Sequence, residues 1–226
     1  PNIASKTPVI RSYDHEVQGG TAVKPLTGVQ DDGPSDAAVI RPLGSVGRAG
    51  VAIGAGVNPA YGKLDPHAMA LCVIDEAIRN VVAVGADPAR VAILDNFCWG
   101  DPRRPSTLGE LVEAARGCYD GALRFRTPFI SGKDSLNNEY LGADGQRHAI
   151  PPTLLISAIG VMADVSAAVT MDLKTAGNLL YLVGDFQPTL GGAHWSLVTG
   201  VETGEGPPAL SDRTPALYAG LHQAIA

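Results

Sequence analysis

The sequence predicts an α/β (α+β) fold, in which buried strands alternate with long amphipathic helices. Three stretches carry that prediction. After Asp65-Pro66, the residues Met69, Cys72, Val73, Ala77, Val81 and Val84 recur at helical spacing until Gly85. The run RVAILDN (90–96) is almost wholly apolar and reads as a buried strand. A second helical stripe, Leu111, Ala115, Cys118, Ala122 and Phe125, leads into another strand, TPFIS (127–131).

Taken in order, residues 1–34 are rich in turn formers and read as a linker or arm with a short extended piece. DAAVIRP (36–42) and AGVAIGAGV (49–57) read as two strands joined by a turn spanning Gly44 to Gly47. Asp65 is placed to cap the first long helix, with Pro66 at its first position. Thr107 and Glu110 have the spacing of a capping box for the second. TLLISAIGVM (153–162) is a further strand, followed by a break at 163–177. NLLYLVGD (178–185) then reads as a new buried strand and HWSLVTG (194–200) as another, before a helix that runs to the end. The expected organisation is an arm at 1–34, a domain at 35–165 and part of a second domain at 170–226.

The composition is 45% hydrophobic and 18% charged, with a formal net charge of −6 and no basic stripe. Nucleic-acid binding through bulk electrostatics is therefore not expected. Three cysteines without a CxxC pair argue against a zinc knuckle and for a reducing, cytoplasmic setting. No apolar run approaches the ~18 residues of a membrane span, and no charged-then-apolar leader is present. A chain that opens on proline reads as a piece of something longer.

Candidate chemistry starts on the first long helix. Asp75 and Arg79 are four apart and read as a surface ion pair. Glu76 and Asn80 share the next face, beside the apolar stripe. With Asp36 they would form an oxygen set that suits Mg²⁺, but spacing alone favours side chains that are solvated or bonded to backbone. Asp95 ends an apolar strand, either as a ligand contact or as a turn residue, while Phe97 and Trp99 read as core.

PFISGKDSLNN (128–138) resembles a phosphate loop but fails that pattern at Thr127 and Asp134. What remains is a strand that opens onto Gly132, Lys133 and Ser135, an anion site or a plain turn. TLGGAHWS (189–196) is likewise an anion-holding loop or a hairpin turn. The five histidines are scattered and form no metal-binding pattern, and Cys98 has no evident base.

In sequence order, YDHEVQGGT, GPSDAAVIRP, LDPHAMALCVIDEAIRNVVAVGADP, LDNFCWGDP, TPFISGKDSLNNEY, TLLISAIGVMADV and LYLVGD…LGGAHWS resemble the second half of the phosphoribosylformylglycinamidine (FGAM) synthase family. The resemblance implies an aminoimidazole ribonucleotide (AIR) synthase-like N-terminal domain whose sheet pairs with a twin into a barrel, plus the start of its C-terminal α/β domain. It implies ATP-dependent amidation of formylglycinamide ribonucleotide to its amidine, with ATP/ADP and Mg²⁺ as cofactors. The implied partners are a glutaminase component, fused or separate, and a small accessory subunit.

By the same resemblance Asp36, Glu76 and Asn80 are magnesium ligands, Asp95 and Gly132 contact the nucleotide, and Ser135 contacts the substrate. Lys133 stands where many members have a metal-ligating Asn, and would contact phosphate directly. Cys98 interrupts the family's NFG loop. The family's catalytic histidine belongs to the first half, so the chain is expected to be inactive alone and to pair with itself through its sheet. Two readings stay open: a unit that contributes to turnover, and one that holds a nucleotide for structure. Another member of the same superfamily is a third.

Overall fold

A computed structural model describes residues 3–13 and 17–226. The segment Asp14–Glu16, inside the YDHEVQGGT motif, lies outside the described residues. The arm contributes a short helix, α1 (Thr7–Ile10), a strand, β1 (Thr21–Val23), and a small hairpin of β2 (Leu26–Thr27) with β3 (Gly33–Pro34). Then come β4 (Ala38–Ile40), β5 (Gly50–Val57), α2 (Pro59–Leu64), α3 (Pro66–Ala83), β6 (Val91–Cys98), α4 (Pro105–Phe125) and β7 (Phe129–Ser135). β8 (Glu139–Leu141) and β9 (Arg147–Ala149) form a hairpin that precedes β10 (Thr153–Met162); α5 (His194–Thr199) and α6 (Thr214–Ile225) follow.

The main sheet has six strands in the order β1-β4-β5-β10-β6-β7. All its pairs are antiparallel except β6 with β7, which α4 joins as a parallel crossover. The short extended piece expected in the arm is β1, and it pairs with β4, which ties the arm into the sheet. The sheet is open, with β1 and β7 at its edges. A barrel would need a second sheet.

Helices cover one face. Even-numbered residues of β10, among them Leu154, Ile156 and Ala158, are fully buried, as are Ala52 of β5 and Ile93 of β6. They meet Met69, Ile74, Ala77 and Val81 of α3 in one core cluster. Each large side chain so buried contributes about 1.5–3 kcal/mol of transfer free energy. Close approach of α3 depends on Gly56, since a Cβ there would stand 2.0 Å from the Val73 carbonyl oxygen. The other face is only partly covered: Ile53, Val57 and Ile130 are 38%, 45% and 59% exposed.

The first long helix starts and stops as its sequence predicts. Asp65 Oδ1 accepts from the Ala68 N–H at 2.9 Å, and Gly85, at φ +109°, leads the chain out past Val84. Phe97 and Trp99 are core residues, 8% and 1% exposed.

Four local expectations fail. α4 begins at Pro105 with Arg104 before it and no side-chain cap, so Thr107 and Glu110 lie inside the helix and form no capping box. A proline lacks the N–H that a cap would satisfy and starts the helix two residues early. Residues 178–185 form no strand. Leu179, Leu180, Tyr181 and Leu182 are 75–84% exposed, because no described strand pairs with them. Residues 194–199 are the helix α5, closed by Gly200 at φ +73°; a short apolar run does not distinguish one helical turn from a strand. Asp75, finally, is no surface residue but only 7% exposed. No helix among the described residues is long and apolar enough to cross a membrane.

Candidate functional site

Two clusters hold the residues singled out by sequence. The first lies where β6 and β7 run parallel. Their register sets Asp95 beside Gly132, Asn96 beside Lys133 and Cys98 beside Ser135. Alternation along β6 turns Asp95 to the helix-covered face, the face of Ile93 and Phe97. A Cβ on Gly132 would stand 2.5 Å from Asp95 Oδ1, so only glycine leaves the carboxylate its place. The backbone N–H of Lys133 donates to the same carboxylate. Burial raises the Asp95 pKa above the ordinary aspartate value, against that hydrogen bond; the nearby Asp134 pushes it further up.

Lys133 and Ser135 lie two apart on β7, and their side chains meet: Lys133 Nζ donates to Ser135 Oγ. The Ser135 carbonyl accepts from the Trp99 N–H at 2.9 Å and from Asn138 Nδ2 at 2.6 Å, which fixes the strand end. Because β7 is an edge strand, these residues lie at the margin of the sheet, the Lys133–Ser135 pair on one face and Asp95 with Gly132 on the other.

The second cluster lies along the free edge of β5. β4 pairs with β5 only as far as Ala38 opposite Ile53, and Asp36 precedes that last pair by two residues. Beyond it, side chains of α3 satisfy the unpaired β5 backbone. The Val57 N–H donates to Glu76 Oε2 at 2.9 Å, and Asn80 Nδ2 donates to the Ala55 carbonyl at 2.9 Å. Each residue thereby has one oxygen left over, Glu76 Oε1 and Asn80 Oδ1. Asp36, exposed, precedes the end of β4 at the same side of the sheet; oxygens of these three residue types are the donors a hard cation takes. Burial raises the Glu76 pKa, opposed by the Val57 hydrogen bond and by Arg79. β10 lies between β5 and β6, so Asp95 stands two strand spacings from β5, about 10 Å, and the β7 residues three, about 15 Å; the two clusters do not form a single point.

The family described as AIR synthase related protein, N-terminal domain, matches residues 34–162. The chain belongs to this family. PurL, a phosphoribosylformylglycinamidine synthase subunit of Deinococcus radiodurans, is 38% identical over 214 residues, covering 92% of this chain and 27% of its own length. The chain thus spans about a quarter of the length of the curated relatives it matches. Among solved structures, Thermotoga maritima PurL complexed with AMPPCP and with FGAR superposes with TM-scores of 0.57 and 0.55. Each is 25% identical and covers 73% of this chain; the chain matches 25% and 24% of their lengths.

One constellation was only half read in the sequence, which offered the Asp75–Arg79 pair of the AIR synthase related domain but not its partner on α6. Tyr218 of α6 donates to Asp75 Oδ1 at 2.6 Å, while Arg79 holds Asp75 Oδ2 at 3.0 Å. Burial raises the pKa of Asp75, against both partners. A cavity of about 570 Å³ opens beside this group, lined by Tyr61, Glu76 and Arg79 on one side and by Leu182, Asp185 and His194 on the other. It brings together residues more than a hundred positions apart, and no periodicity signals such a meeting. TLGGAHWS takes part through His194 and makes no hairpin: Gly191 and Gly192 form a turn before α5.

Proposed function

We propose that the chain is a nucleotide-binding unit of an ATP-dependent FGAM synthase, the ligase that converts formylglycinamide ribonucleotide to its amidine in purine biosynthesis. The observation that carries this reading is the Asp95 carboxylate seated against Gly132, with Lys133 and Ser135 next along the same edge strand. Here Gly132 admits the nucleotide to the backbone, Lys133 supplies positive charge to a phosphate, and Ser135 faces the substrate. Asp36, Glu76 and Asn80 would hold Mg²⁺, whose contribution is to offset phosphate charge.

The partners in this reading are the ribonucleotide, a glutaminase component and a small accessory subunit, in the cytoplasm. Residues 35–165 act as the AIR synthase-like unit, with 1–34 as its arm and 170–226 as the start of the next domain. The partly covered sheet face carrying Ile53, Val57 and Ile130 receives a twin unit, or a second copy of this one.

A second reading, a nucleotide held for structure, draws support from the same strand. Lys133 takes the place of a metal-ligating Asn and is engaged with Ser135. In the full-length enzyme, Ser135→Ala and Asp95→Ala separate the two. Lost turnover at unchanged melting temperature supports a turnover site. A lowered melting temperature with intact turnover of the folded fraction supports the structural one.

A further inference from the structure

Charge is spread unevenly over the main sheet. Across its six strands only Asp95, Lys133 and Asp134 are charged. Asp95 lies beside Gly132, and Asp134 beside Phe97, on the helix-covered face. Lys133 therefore stands alone on the open face. Its ammonium donates to the neutral Ser135 hydroxyl and forms no ion pair among the described residues. An ammonium has three donors, so two remain.

The residue beside Lys133 in register is Asn96. One row of side chains crosses the open face here: Val57 of β5, Leu155 of β10, Asn96 of β6 and Lys133 of β7. Neighbours in such a row are one strand spacing apart, about 4.8 Å. Cys98 is two residues on from Asn96 and on the same face, and its thiol donates to Asn96 Oδ1 at 3.5 Å. The carbonyl end of the amide is thereby engaged. The Nδ2 end, with two N–H donors, has no hydrogen-bond partner among the described residues and is not sealed from solvent. Leu155 and Val57 flank these donors with hydrocarbon, which lowers the local dielectric and strengthens what the donors bind. Amide N–H groups next to an unpaired ammonium, with no carboxylate on the same face, are complementary to the oxygens of a phosphoryl group.

We propose that Asn96 is a further ligand-contacting residue, which with Lys133 holds a phosphoryl group on the open face of the sheet. This rests on the nucleotide-unit reading, and the phosphoryl group belongs either to the nucleotide or to the ribonucleotide substrate. Calorimetry of the full-length enzyme with ADP and, separately, with formylglycinamide ribonucleotide distinguishes the two. Lys133→Ala marks the ligand that uses this strand by its weakened binding. Asn96→Asp keeps the size of the side chain but replaces donors with negative charge. It should weaken the same ligand by about tenfold or more, the loss expected for a hydrogen bond to a charged group. Asn96→Ala adds no charge and should weaken it by a smaller factor; it carries the test if the aspartate disturbs folding, which melting curves check. Loss confined to ADP assigns the phosphoryl group to the nucleotide, and loss confined to the ribonucleotide assigns it to the substrate. Parent affinity in folded Asn96 variants, with Lys133→Ala weakened, overturns the proposal and leaves the nucleotide-unit reading standing. Parent affinity for both ligands in Lys133→Ala overturns both.

Discussion

Tyr218 and Asp75 are joined by a 2.6 Å hydrogen bond across 143 residues of chain. It fastens α6 to the middle of α3, and with Arg79 it supplies a buried carboxylate with its partners. The tyrosine ring also stacks on Phe125, with centroids 6.1 Å apart. Tyr218→Phe keeps the ring and deletes only the donor. The expected loss is roughly 1–3 kcal/mol, the cost of leaving a buried acceptor short of a partner. Denaturant unfolding of the two proteins measures it directly, and an unchanged midpoint would show that α6 docks through its apolar contacts alone.

Two glycines separate stability from binding. At Gly56 an added methyl meets backbone, the Val73 carbonyl oxygen, which cannot move without shifting α3 off the sheet. Gly56→Ala should therefore cost about 1–3 kcal/mol or more through overpacking. At Gly132 the obstacle is the Asp95 carboxylate, the end of a side chain that turns away at small cost. Gly132→Ala should melt within a few degrees of the parent and lose affinity for an ATP analogue by calorimetry. Equal melting losses in both variants would contradict this division.

Glu76 caps the β5 edge, and one substitution separates that task from the metal binding proposed for it. Glutamine keeps an oxygen to accept from the Val57 N–H, so Glu76→Gln should fold with an unchanged melting temperature in the absence of metal. It removes the charge a hard cation needs, and the rise in melting temperature on adding Mg²⁺ with ADP should shrink or vanish. Thermal scans with and without the metal decide it. A full Mg²⁺ response in the variant would leave Glu76 as an edge cap of β5 and nothing more.

Burial pushes the Cys72 thiol up to about 11 and the Cys118 thiol up to about 12. The thiolate is the reactive form, so a raised pKa moves its appearance to higher pH. Alkylation of either residue at about pH 8 should be slower than that of a model thiol with pKa ~8.5. The rate should keep climbing with pH beyond the point where the model thiol has levelled off. Mass spectrometry of peptides after timed labelling gives both rates, and early labelling of Cys118 would mean that α4 opens readily.

Local sequence alone determined the two long helices, the apolar strands between them and the core stripe. Helical periodicity, an Asp-Pro start and a Gly stop are properties of neighbouring residues, and they hold wherever the segment packs. The family resemblance was legible there too, because its motifs are short, contiguous runs that follow one another in order. Tertiary structure decided what depends on a partner. Residues 178–185 look like a strand in sequence but stay exposed, since a strand exists only where another lies beside it. Asp75 looked like half of a surface pair until α6 folded over it. Glu76 and Asn80 gained a definite role only because β4 stops short and leaves the β5 backbone for them to satisfy. The pairing of Asp95 with Gly132 is of the same kind: each stood out in the sequence, but the parallel register that presses one against the other is set by the α4 crossover.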